Sequence, residues 1–133
     1  MGTSVMAVLL FTAWTLVVVA IVLLWRSFEI ARGVPANSWG RGAERDRPGL
    51  VKRAEHAHIN CLENLPVFAA IVMAAVFSDK SAVTDGVAMW VVYARVLQSV
   101  MHLIGTSQWL VLLRATFYFV QVALFVYMIV GLL

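Results

Sequence analysis

Four long apolar stretches divide the chain, and the polar positions between them predict four membrane-crossing helices. The first, about 4–30, carries no Asp, Glu, Lys or Arg before Arg26. At about 1.5 Å per residue, Ser4 to Trp25 alone covers about 33 Å, a full hydrocarbon thickness. A cleaved leader would show a positive start and a shorter apolar core, so this stretch is expected to remain in the membrane. From Arg26 to Arg53 the pattern breaks. Gly33, Pro35, Gly40, Gly42, Pro48 and Gly49 interrupt any helix, and seven of the ten Lys and Arg residues fall here.

A second span is predicted over about 50–78, polar in its first half and apolar from Leu65 to Phe77, with Pro66 as an expected kink. After the turn SDKSAVTDG, Thr84 or Asp85 is expected to cap a third span over about 84–105. Thr106 or Ser107 is expected to cap a fourth over about 107–133. The fold class is therefore an all-α membrane protein, a four-helix transmembrane bundle forming a single domain over 1–133.

Composition supports the pattern: 62% hydrophobic against 13% charged residues lies outside the range of soluble domains. No polar block is long enough to fold apart from the membrane. The pI near 9.5 would point to nucleic acid in a soluble protein. Here the basic residues crowd into one loop, so the charge reads as topology and no nucleic-acid partner is expected. The loop at 26–53 and the turn at 105–108 share one face, and the termini share the other, where Lys80 is the only basic residue. The loop is expected to be cytoplasmic and both termini outside. Cys61 is the sole cysteine, which excludes an intramolecular disulfide and a multi-cysteine metal cluster.

Polar residues within the spans carry the chemistry, because an ionisable group in hydrocarbon must be paired, hydrated or functional. On the second span Arg53, His56, Asn60 and Glu63 recur at helical spacing; on the third Arg95, Gln98 and His102 do; on the fourth Arg114, Tyr118 and Gln121 do. Three polar stripes are expected to meet in the cytoplasmic half of the bundle or between subunits, as a basic cavity suited to a small anion. Glu63, with Asn60, is expected to face Arg95 or another basic residue. The bland alternative is that these residues only join helices. His56 and His58 lie on different faces, so a haem or metal site is a weak signal and no metal is expected. Cys61 points about 100° from the stripe, as a packing residue would.

The run RAEHAHINCLENLPVF, Arg53 to Phe68, resembles the signature of the membrane-associated proteins in eicosanoid and glutathione metabolism, the MAPEG family. Its marks here are Asn60, Glu63, Pro66 and Phe68, together with Ala31 and Arg32 ending the first helix, the basic Pro/Gly loop, and the Ala94, Arg95 pair. The likeness spans nearly the whole chain and is to a prokaryotic-type member. It implies a homotrimer that binds glutathione between subunits near the cytoplasmic face and conjugates it to lipophilic electrophiles, as a transferase or peroxidase. Arg32, Arg53, His56, Asn60, Glu63, Arg95 and Gln98 would then hold the peptide, with Arg114 or His102 assisting the thiol. The family's synthases carry arginine near His56 or Ile59 and tyrosine at Gln98 and His102. Their thiol-side arginine has Arg114 as its nearest counterpart here. Two rival readings keep the fold: a non-catalytic membrane subunit, with a heteromeric partner left open, and a lipid or quinone binding protein. Membrane lipids are partners in every case.

Overall fold

The computed structural model describes residues 1–40 and 45–133. Four helical segments, Thr3–Ala31, Gly49–Phe77, Ser81–Ile104 and Gln108–Leu132, are long and apolar enough to cross a membrane. The observed order is α1 (Thr3–Ala31), a 3₁₀ turn (Ala36–Trp39), α2 (Gly49–Phe77), a short α3 (Ser81–Asp85), α4 (Ala88–Ile104) and α5 (Gln108–Leu132). The helices lie within a few residues of the predicted spans. Of the basic loop, Arg41 and the helix-breaking Gly42 fall outside the described residues.

Each long helix turns a narrow stripe inward. Along α1 the buried positions are Ser4, Ala7, Phe11, Thr15, Val18 and Val22, every three or four residues. Small residues on α2, among them Ala54, Ala57, Cys61 and Ala75, let neighbouring backbones approach, as lipid-embedded helices require. Toward the end that carries the termini, Phe11, Phe68 and Phe125 form an aromatic column, with ring centroids 5.8 Å and 5.9 Å apart. Ala88, Val91 and Met128 close around it. Helix α2 runs unbroken through Pro66, whose missing N–H leaves the Leu62 carbonyl without its helical donor.

The third span departs from expectation. It is not one helix capped by Thr84 or Asp85: α3 ends at Asp85, and α4 begins at Ala88 after a turn. Asp85 is taken by another helix. Its carboxylate accepts the Ser4 backbone N–H at 2.8 Å and the Ser4 hydroxyl. Thr84 and Ser4 share a buried hydroxyl contact of 2.7 Å. The carboxylate thus satisfies an orphan N–H of the first turn of α1 and sits at the positive end of its dipole. Asp85→Ala is expected to cost about 1 kcal/mol, as loss of a helix cap does, seen as a lower midpoint in thermal unfolding of the detergent-solubilised protein. An unchanged midpoint would show that the tether carries no stability. At the fourth span the expectation holds: the Ser107 hydroxyl accepts the Leu110 N–H at 3.4 Å.

At the other end the basic loop is folded back on the helices by carboxylates. Glu55 takes Arg26 at 3.2 Å and Arg47 at 2.7 Å. Glu29 takes Arg32 at 3.5 Å and Arg45 at 3.9 Å. Trp39 packs edge-on against Trp25, 5.3 Å between centroids. Asp46 lies in the loop, where a hydrogen bond from Lys52 and one from the Arg47 backbone hold its carboxyl below the usual range. This contribution is fully present above the ordinary carboxylate range and is lost as pH falls below that range through the lowered pKa of the folded chain.

Candidate functional site

The stripes of α2, α4 and α5 meet in three successive layers, each with one residue from each helix. Antiparallel neighbours explain the fit. Spacings of 4 then 3 on α2 and α5 match spacings of 3 then 4 on α4, which runs the other way. Nearest the loop, the His56 and His102 rings lie 6.1 Å apart, with Arg114 and Arg53 as the other charges acting on His102. One turn deeper, Asn60, Gln98 and Tyr118 line a groove of about 300 Å³, together with Glu63, Arg114 and Ala115. The deepest layer holds Arg95 and Gln121, with the Arg95 Nε donating to Gln121 Oε1 at 3.0 Å.

Glu63 belongs to both lower layers. It lines the groove, and its charge is felt at Arg95. The two nevertheless form no ion pair within 4 Å: Gln121, not Glu63, holds the guanidinium. Arg95 is 1% exposed and stacks over Phe11, 5.5 Å from the ring centroid. Its Nη2 and Gln121 Nε2 are buried donors with no partner among the described residues, and Gln98 Oε1 is a buried acceptor without one. A buried arginine whose close polar partners among the described residues are the Gln121 amide and the Cys61 side chain still wants an anion.

Glu63 itself is exposed on the single chain, as is His56. It sits at the midpoint of the 29-residue α2, about 21 Å from either end at about 1.5 Å per residue. A carboxylate facing hydrocarbon at that depth is costly, so this face requires water or another polypeptide.

Other residues expected at the site are placed differently. Arg53 donates through Nε to the Leu103 carbonyl at 2.9 Å, closing the end of α4. Arg32 ends α1, pairs with Glu29 and covers Phe28 at 5.4 Å, and is absent from the groove lining. His102 is buried at the rim beside His56, and it too is absent from that lining. His58 turns to α1, its Nδ1 3.2 Å from the Thr15 carbonyl oxygen. Cys61 is buried with its Sγ 3.7 Å from the Ser99 hydroxyl. Tyr118 lines the groove and Gln121 holds the floor, both members of the α5 stripe that the spacing from Arg114 predicts, although the family resemblance gives neither a role toward the ligand. A second concavity of about 620 Å³ lies between α1 and α4, lined by residues such as Leu10, Trp14, Val17, Val92 and Val96. It presents no carboxylate, imidazole, guanidinium or thiol.

The layered site therefore offers cations at its rim, an acid and amides in its groove, and a buried guanidinium at its floor. That set suits a small zwitterion with more than one carboxylate. Comparison with curated proteins finds no match, and neither does comparison with solved structures. The MAPEG family model, by contrast, matches residues 4–133, nearly the whole chain including all three polar stripes. Four apolar helices, the Asn60 to Phe68 signature on the second, and this match agree that the chain belongs to the MAPEG family, whose members are helical membrane proteins of glutathione-related function.

Proposed function

We propose that the protein is a glutathione-dependent transferase or peroxidase acting on lipophilic electrophiles, assembled as a homotrimer with glutathione held between subunits. The carrying observation is the groove that gathers Asn60, Glu63, Gln98, Arg114 and Tyr118 at mid-helix depth, open on a face where an exposed Glu63 cannot meet lipid. A second subunit covering that face removes the exposed carboxylate from hydrocarbon and completes the pocket. Glu63 would hold the ammonium of glutathione, Asn60 and Gln98 its peptide groups, and the guanidinium groups its carboxylates. Arg114 lines the groove while His102 does not, which favours Arg114 for the thiol. A fixed positive charge there stabilises thiolate, the nucleophilic form. The thiolate sulfur would bond to the electrophilic carbon as the leaving group departs with the bonding pair.

The reading is tested by following thiolate absorbance near the ultraviolet edge, with conjugation of an aryl halide, in the detergent-solubilised protein. A glutathione-dependent thiolate signal and turnover are expected. Absence of both would favour the rival reading, a non-catalytic subunit. That rival draws support from the Arg95–Gln121 and Arg53–Leu103 bonds, which join helices as internal glue does.

The loop is proposed to face the cytoplasm and the termini the opposite side, because Lys80 is the lone basic residue at the terminal end. A cysteine placed at Gly2 should be labelled by an impermeant maleimide in intact cells, and one at Arg45 only after permeabilisation. The reverse result would invert the topology.

A further inference from the structure

We propose that the groove between α1 and α4 binds a neutral lipophile carrying a quinone or ketone carbonyl, held at mid-membrane depth by the indole N–H of Trp14. As first and third spans, α1 and α4 run parallel. An offset close to the one that brings Ser4 to Thr84 and Asp85 sets Leu10 level with Met89, Trp14 with Tyr93 and Val17 with Val96. These pairs wall a concavity of about 620 Å³, a size suited to a small organic molecule. Trp14 lies eleven residues into α1, about 17 Å at about 1.5 Å per residue, close to the middle of a hydrocarbon layer about 30 Å thick. Its Nε1 is buried and meets no acceptor among the described residues. Hydrocarbon offers none, and phospholipid ester carbonyls lie at the interface, so an indole N–H at this depth needs an acceptor carried in by an occupant. On the facing helix Tyr93, half exposed and held edge-on by Trp90 with centroids 5.7 Å apart, supplies a flat ring and a phenol for a second oxygen. Apart from these two polar tips the walls are apolar, which suits a neutral ring and excludes an ion. The groove is separate from the polar one. Nine residues at about 100° each put Gln98, which lines the polar groove, on the opposite side of α4 from Met89. The proposal is therefore independent of the glutathione reading.

The probe is duroquinone, a fully methylated benzoquinone with no free ring position for thiol addition. It is titrated, without glutathione, into the full-length protein in phospholipid nanodiscs and followed by its infrared carbonyl stretch, which a hydrogen bond lowers. Saturable binding is expected, with a carbonyl band below that of duroquinone in empty nanodiscs. Trp14→Phe should weaken binding about three- to tenfold, the effect of one neutral hydrogen bond, and return the band toward its free position. Val17→Phe, at an exposed position, should fill the groove and abolish binding. Thermal unfolding verifies the fold of both variants. Durene, the same methylated ring without carbonyls, should compete more weakly than duroquinone. Saturable binding that neither substitution changes would overturn the site. Partitioning no greater than into empty nanodiscs would overturn it too, as the result expected when phospholipid chains fill the groove. A Val17→Phe protein of altered assembled mass would show a second copy seated there and would equally overturn it. Glutathione binding should be unchanged in Val17→Phe, so the two readings stand or fall separately.

Discussion

Arg114→Ala is expected to raise the pKa of bound glutathione's thiol by roughly a unit or more, which is about 1.4 kcal/mol or more of lost preference for thiolate. Conjugation of an aryl halide near neutral pH should slow roughly tenfold with it, while glutathione affinity stays within a few-fold. The asymmetry follows from position. Arg114 shares the groove with Asn60, Glu63, Gln98, Ala115 and Tyr118, so peptide contacts survive its loss. The charge facing the sulfur does not. An arginine snorkelling from the end of α5 to the headgroups predicts no such effect. Thiolate absorbance followed against pH in the two proteins distinguishes the readings, and superimposable titrations would remove Arg114 from the mechanism.

Gln121→Leu is expected to lower stability by about 3 kcal/mol, the range found when a buried charge loses its hydrogen-bonding partner. Gln121 is fully buried, and it supplies the Arg95 Nε with its acceptor at 3.0 Å. Leucine would leave that guanidinium with the Phe11 face, the Cys61 side chain and the more distant charge of Glu63. The effect should depend on the charge itself. Adding Arg95→Met to Gln121→Leu removes the stranded cation, and most of the lost stability should return, since replacing buried ionic groups by apolar ones of similar volume is often neutral or stabilising. Thermal unfolding of the single and double variants in one detergent gives the answer. A Gln121→Leu protein as stable as the parent would show that Arg95 has another partner in the assembled protein.

Much of this arrangement is legible in the chain because period and direction are strong signals in membrane helices. The absence of charge before Arg26, the Pro- and Gly-rich loop and the capping Ser107 place the spans. The 4 and 3 spacings on α2 and α5 against 3 and 4 on α4 make three layers the natural register. What escaped the sequence depends on rotations about helix axes and on competition between partners. Asp85 reads equally well as the cap of its own helix, yet the first turn of α1 lies within reach and takes it, which is why the third span breaks at Gly86. Glu63 and Gln121 are both plausible acceptors for Arg95, and only their relative rotation decides for Gln121. Arg53 fits a ligand-binding stripe by spacing, but the terminal carbonyl of α4 claims its Nε. Arg32 fits the end of a ligand site by sequence position, but Glu29 and the Phe28 ring claim its guanidinium.

The central claim is that the layered polar groove binds glutathione, and its most direct test is calorimetric titration of glutathione into the purified, detergent-solubilised protein beside its Glu63→Gln variant. Saturable binding to the parent, weakened at least about tenfold when the carboxylate partner of the ammonium becomes a neutral amide, is the predicted result, since charge-assisted hydrogen bonds of this kind contribute about 1.5 to 3 kcal/mol. Binding that is indifferent to Glu63, or no saturable heat from a protein that unfolds cooperatively and is therefore intact, would contradict the account.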